Sequence, residues 1–384
     1  MKKFFYGKQN ISKSDVLSVV KSLKTSVISQ GTELKKIEIK IAKYCGAKYC
    51  VAVSSGTAAL HLSCLSLNLK KPFYGVTSPI TFVATVNAML LSGGSFDLID
   101  IDKDDFNIDP NKLKNYIKGK LKEKKPIPKL IIPVHFAGLP ARMEEIKKIC
   151  NRYKIKIIED ASQALGATYN GKKIGCCKYS DITVFSLHPV KSITSGEGGL
   201  ILTNSKQIYN KLLALRVNGI EKKGSKSWSH DMKNLGLNYK ISEINCALAN
   251  SQLERLNPFI KKRKSIAKFY KKKLNNDFFT FQKNYSNSES AFHLFIIYFK
   301  KKISLRKKNL FYEKLKKVGI NLDIKYRPIQ TFTYFKNNFI INKSPNSINY
   351  FKQSFCLPMY VDLKYFELEK ICKSVNRVAK DLGL

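Results

Sequence analysis

Arginine is scarce: it supplies only eight of the 69 basic residues in a 384-residue chain whose formal net charge is +41. A charge of that size raises nucleic acid or an anionic membrane as a partner. Surfaces that grip phosphates and read bases usually combine arginine forks with interleaved aromatics, whereas these lysines lie along the whole chain in basic runs such as Lys122–Lys125 and Lys261–Lys264. Most of the charge therefore reads as solvated helix faces, and no nucleic-acid partner is expected. Long apolar runs are also missing. The longest, near Ala84–Leu91, is broken by Asn87 and followed by Ser92-Gly93-Gly94, so no segment reaches the length of a membrane crossing.

The start, MKKFFYGKQN, is basic but lacks the apolar stretch and small-residue cleavage site of a signal peptide. A cytoplasmic protein is expected. The nine cysteines include no CxxC pair and no Cys/His cluster with zinc spacing, so free thiols are expected and a structural metal is not. No internal repeat is visible.

What is present is the composition of a globular protein, 44% hydrophobic with 11% aromatics, in a chain too long for one small core. Short apolar runs at Tyr49–Val53, Gly75–Thr77, Phe96–Ile101, Leu130–Val134, Ile155–Glu159, Ile182–Leu187 and Leu200–Thr203 read as strands. Helical patterns stand between several of them, at Thr57–Leu67, Val83–Leu91 and Arg142–Tyr153, and another follows the last at Gln207–Val217. This alternation predicts an α/β fold with a mostly parallel sheet covered on both faces. After about Asn250 the pattern changes to a long basic helix, Leu253–Leu274, a polar loop, a strand at His293–Phe299, a helix at Leu305–Val318, a strand at Gly319–Tyr326 and a last helix at Tyr365–Leu382. The expected division is a large domain over 1–252 and a smaller C-terminal α/β domain over 253–384.

Ligands of such sheets bind beyond the carboxyl ends of the strands, and the chemically informative residues fall there. Ser54-Ser55-Gly56-Thr57-Ala58 follows one strand and opens a helix, where backbone N–H groups and the Thr57 hydroxyl can hold a phosphate or simply cap the helix. Asp160, in EDASQ, ends a second strand. SLHPVKSITSGEGG, from Ser186, ends a third and carries Lys191, whose place between a buried strand and the Gly196/Gly198/Gly199 turn calls for a chemical reason. One amine able to form a Schiff base and one carboxylate able to keep a pyridine nitrogen protonated are what pyridoxal 5'-phosphate (PLP) requires.

The ordered blocks VAVSSGTAALHLSCLSL, TSPITFVATVNAMLLSGG, IEDASQALGATYNGKKIG, SDITVFSLHPVKSITSGEGGLILTN, LGLNYKISEINCALANSQLERL and KYRPIQ resemble the DegT/DnrJ-type sugar aminotransferases, a branch of the fold-type I PLP-dependent transferases (aspartate aminotransferase-like). The resemblance covers nearly the whole chain. It implies Lys191 and Asp160 as catalytic residues, with PLP held by Gly56, Thr57, Ala58, Phe82, Asp160, Gln163, Ser186 and Lys191. It further implies that Asn238 reaches in from a second subunit, making a homodimer with shared active sites. Tyr6, Ser29, Gln30, Gly31, Thr32, His188 and Tyr326 match its substrate positions, and Lys8 or an N-terminal backbone group is a candidate for a diphosphate. The reaction implied is transfer of an amino group from L-glutamate to C4 of a UDP-4-keto-6-deoxy-N-acetylhexosamine.

Two departures bear on the substrate rather than on PLP: Val217-Asn218-Gly219 stands where relatives have His-Gly after the arginine, and Gln330 where they commonly have His. Amination of another keto nucleotide sugar therefore stays open, as does a catalytically silent binder acting as a regulator. Dehydration at C3, which usually replaces the Schiff-base lysine with histidine, is disfavoured by Lys191.

Overall fold

The computed structural model describes residues 2–226 and 228–384. Seven strands, β1 (Tyr49–Val53), β2 (Phe73–Thr77), β3 (Gly94–Leu98), β4 (Leu130–Ile132), β5 (Lys156–Asp160), β6 (Ile182–Ser186) and β7 (Gly199–Thr203), form one sheet in the order β1-β7-β6-β5-β4-β2-β3. β7 runs antiparallel to both neighbours, and every other neighbouring pair is parallel. The expected mostly parallel α/β sheet is therefore present.

Strand periodicity divides the core. Cys50, Ala52, Ile131, Ile157, Phe185, Leu200 and Leu202 face one layer, with α2 (Thr32–Cys45), α5 (Pro110–Lys122), α6 (Met143–Tyr153) and α8 (Glu243–Glu254) supplying Leu34, Ile37, Leu113, Ile117, Ile146 and Cys246. Val51, Val53, Leu130, Ile132, Ile158, Val184 and Ile201 face the other, against Ala59, Leu62, Val86, Met89, Leu212 and Leu215 of α3 (Gly56–Ser66), α4 (Ala84–Leu91) and α7 (Lys206–Arg216). Both faces are covered, which is why the strands read as continuous apolar runs rather than as alternating ones. Another helix, α1 (Lys13–Leu23), packs on α8.

A separate aromatic core joins a second antiparallel sheet, β8 (Phe279–Phe281), β9 (Phe295–Phe299) and β10 (Ser354–Leu357), to α9 (Leu256–Lys273), α10 (Leu305–Lys317) and α13 (Tyr365–Asp381). Short helices α11 (Thr333–Asn338) and α12 (Pro345–Gln353) lead into β10. Phe299 packs edge-on against Phe311, ring centroids 5.2 Å apart. Phe4 enters this core from the other end of the chain: its N–H donates to the Gly319 carbonyl and its carbonyl accepts from the Asn321 N–H, both at 2.8 Å.

Three expectations are corrected. The single helix at Leu253–Leu274 is two, because α8 ends and α9 begins at Arg255. Pro258 has no N–H and sits comfortably only in a first turn, which marks the restart. Gly319–Tyr326 is not a strand; it joins its neighbours through isolated bridges, Phe4 with Ile320 and Asp323 with Cys356. The polar loop after α9 contains β8, whose aromatics are drawn into the second core.

Candidate active site

A cavity of about 350 Å³ opens where the ends of β1, β5 and β6 meet α3 and α4. One wall is the β1–α3 turn. Ser55 caps α3 by accepting from the Ala58 N–H at 3.0 Å, and the turn lies so close to its neighbours that side chains are excluded. A Cβ on Gly56 would stand 2.9 Å from Ser186 Cβ, and one on Gly199 only 2.2 Å from the Ser55 carbonyl oxygen. Two glycines thus let the helix N-terminus, Thr57 and Ser186 converge.

Asp160 closes the floor at 5% exposure. Its Oδ2 accepts from Thr85 Oγ1 at 2.7 Å and its Oδ1 from the Ser162 N–H at 3.2 Å. Thr85 spends its proton on Asp160, so Thr81, 2.7 Å away, donates to Thr85. Behind the strand ends, His135 Nδ1 accepts from the Ala141 N–H, leaving Nε2 to donate to Glu159 at 2.7 Å. Glu159 also accepts from Ser180 and Thr183, while the His135 N–H donates to the Asp160 carbonyl. This buried network fixes the carboxylate's backbone.

Lys191 lies on a compact loop pinned at its base, where the Leu187 N–H donates to the Gly198 carbonyl and the Leu187 carbonyl accepts from the Ser195 N–H. Burial pushes its amine down to about 8, against the opposing pull of Asp160. A lysine so placed loses its proton around pH 8, well below the ordinary range of an amine, and above that pH can act as nucleophile or base.

Gln163 is locked rather than free: its Oε1 accepts from the Ala137 N–H at 2.7 Å, which orients Nε2 to donate to the Tyr326 hydroxyl at 2.8 Å. Phe82, 57% exposed, leans on Tyr326 with ring centroids 5.9 Å apart and lines the mouth. His188 and Tyr6 complete the set of expected residues lining the cavity. Burial lowers the His188 imidazole below its ordinary value.

A model of the DegT/DnrJ/EryC1/StrS aminotransferase family matches residues 9–376. The chain belongs to that family. It is 36% identical over 359 residues, 93% of each chain, to a UDP-4-amino-4,6-dideoxy-N-acetyl-β-L-altrosamine transaminase of Campylobacter jejuni. It is also 27% identical over 392 residues to the spore coat polysaccharide biosynthesis protein SpsC of Bacillus subtilis, covering 98% of this chain and 97% of that one. Among solved structures, Helicobacter pylori PseC, an aminotransferase involved in pseudoaminic acid biosynthesis, superposes with a TM-score of 0.92 at 28% identity, over 99% of this chain and all of that one. As a DegT/DnrJ/EryC1/StrS family member the protein is an aminotransferase.

Other expected residues of this family member lie elsewhere. Ala58 does not line the cavity, and its N–H is taken by the Ser55 cap. Ser29–Thr32 lead into α2, whose first N–H groups are held by the Glu243 carboxylate, from Gly31 at 2.9 Å and Glu33 at 2.7 Å. Asn238 is exposed, bridged to Val217 of its own chain and absent from the cavity wall. Gln330 faces away, its Nε2 donating to Ser347.

Sequence reading passed over Thr81, Thr85, His293 and Lys325, all of which line the cavity. Thr85 carried a signal: a hydroxyl inside an apolar helix must find a partner. His293 stands just before the apolar β9 and is 4% exposed, with Nδ1 buried and unpartnered among the described residues.

Proposed function

We propose that this aminotransferase is PLP-dependent and moves an amino group from L-glutamate to C4 of a UDP-4-keto-6-deoxy-N-acetylhexosamine, in a pseudaminic-acid-type route. The observation that carries this reading is the meeting of the Lys191 amine, the buried Asp160 carboxylate and the glycine-walled α3 N-terminus in one cavity. These residues fit the cofactor. Ser55–Thr57 and Ser186 would hold its phosphate, Asp160 its ring nitrogen, Gln163 and Phe82 the ring, and Lys191 its aldehyde carbon. When bound, PLP supplies an electrophilic carbon and an electron sink.

The chain's own residues do the rest. Asp160, oriented by Thr85 and Ser162, would set its carboxylate against the ring nitrogen. Lys191 Nζ, displaced as a free amine, takes the proton from the α-carbon of glutamate and, in the second half of the cycle, delivers one to C4 of the sugar. Because the lysine loop is pinned at both ends, that proton arrives from one face, which sets the stereochemistry of the new amine.

A homodimer that lends Asn238 across the interface is part of this proposal. Support comes from exposed apolar side chains on α1, Val16, Leu17, Val20 and Leu23, and from Leu235 and Leu237 beside Asn238. The test is incubation of PLP-loaded protein with glutamate and enzymatically made ketosugar, then NMR of the product. A single configuration of the amine at C4 is expected; no amination, a mixture of C4 epimers, or amination at C3 overturns the assignment.

A further inference from the structure

Of the described residues lining the cavity, only Lys191 and Lys325 carry lysine or arginine side chains. Lys191 is committed to the cofactor in the reading above, on which this inference rests. His188 and His293 are both held below their ordinary values, first by burial, and so add little positive charge. Both substrates in that reading are anions: glutamate brings carboxylates and the sugar nucleotide brings a diphosphate.

Lys325 is placed by chain pairing rather than by local sequence. Phe4 pairs with Gly319 and Asn321, which brings Tyr6 alongside residues 323–326. The Tyr350 hydroxyl donates to the Lys325 carbonyl at 2.7 Å and fixes the backbone there. The ammonium then lies 4.4 Å from the centroid of the Tyr6 ring, with Asp323 Oδ2 at 2.8 Å and its side chain 23% exposed. Burial works against its charge and the Asp323 carboxylate outweighs that effect, so Lys325 stays charged at neutral pH. An ammonium has three donors, and the carboxylate takes one. Asp323 does not line this cavity, so it holds the cation from behind.

We propose that Lys325, backed by Asp323 and seated on the Tyr6 ring, is the anion-recognition residue of the cavity, receiving a substrate carboxylate or phosphate oxygen. Charge-assisted hydrogen bonds of this kind contribute roughly ten- to a hundredfold in affinity. Arginine keeps the charge, methionine removes it, and Asp323→Asn removes the carboxylate that holds the ammonium in place.

The test is calorimetric titration of the PLP-loaded protein with two probes, UDP and 2-oxoglutarate, at constant physiological ionic strength. Lys325→Met, and Lys325→Gln as a second variant should the first fold poorly, are expected to weaken at least one probe tenfold or more. Lys325→Arg is expected to stay within a few-fold of wild type, and Asp323→Asn, which removes the group that holds the ammonium in place, to weaken the same probe. A response to UDP assigns the phosphate; a response to 2-oxoglutarate assigns the carboxylate. Two results overturn the proposal: both probes bound within twofold by the uncharged variants, or Lys325→Arg weakening binding as much as Lys325→Met, which marks the side chain's packing rather than its charge as what matters. Wild-type protein without a lysine-bound cofactor absorbance band would defeat the proposed function, while the anion affinities would still decide the role of Lys325.

Discussion

Replacing Thr85 with valine keeps the shape of the side chain and removes one hydroxyl, and the structure sets what that costs. Thr85 donates to Asp160 and accepts from Thr81, each at 2.7 Å, and the three side chains are 0%, 5% and 1% exposed. The loss has two parts: a hydrogen bond to a charged group, roughly 1.5–3 kcal/mol, and a buried Thr81 hydroxyl left without a partner, roughly 1–3 kcal/mol. Thr85→Val should therefore cost roughly 2.5–6 kcal/mol in urea unfolding of the cofactor-free protein, with the m-value unchanged. Thr81→Val removes only the neutral bond and should cost about 1 kcal/mol. In the double variant no Thr81 hydroxyl remains to be orphaned, so its cost should fall below the sum of the singles by roughly 1–3 kcal/mol. Strict additivity, or a Thr85→Val cost under about 1 kcal/mol, would refute the relay from Thr81 through Thr85 to Asp160.

Lys191→Met should abolish transamination yet stabilise the cofactor-free protein. The folded amine titrates at about 8 and the unfolded one near 10.5, so the unfolded chain binds more protons between those values. The burial cost is present in full below about pH 8 and fades towards 10.5, giving a gain of up to about 3 kcal/mol at pH 7 that shrinks by pH 10, read from denaturation at both. Gly199→Ala puts a Cβ 2.2 Å from the Ser55 carbonyl oxygen, so the β1–α3 turn must move. It should cost roughly 1–3 kcal/mol and weaken PLP binding in equilibrium dialysis. Arg216→Met strands Glu38, its largely buried partner at 2.6 Å, and should cost up to about 3–5 kcal/mol at pH 7. Burial already raises the Glu38 carboxyl above its ordinary value, so in the variant that loss should shrink as the pH is lowered and Glu38 takes up a proton, as paired thermal melts across pH would report.

The sheet was legible because its strands are buried on both faces: Tyr49–Val53 is a run of apolar residues between turn signals, and its observed bounds are the expected ones. The break at Arg255 was not, because a basic helix pattern continues through it and only Pro258 marks the restart. Lys191, Asp160, Gln163 and Ser186 stand out in sequence since each sits at a strand end that a parallel sheet gathers on one edge. Lys325 and Tyr6 meet through pairing between the two ends of the chain, a long-range contact that no local pattern encodes. Ser29–Thr32 and Asn238 lie outside the cavity of their own chain. Delivery of Asn238 by a second copy is a matter of assembly, which one chain's periodicity does not encode.

The most direct measurement is to load the protein with PLP, reduce it with borohydride and map the modified lysine by peptide mass spectrometry. In a chain with 69 basic residues, nearly all of them lysine, the account predicts one stoichiometric adduct, on Lys191. An adduct spread over surface lysines, or centred on Lys325, would contradict it.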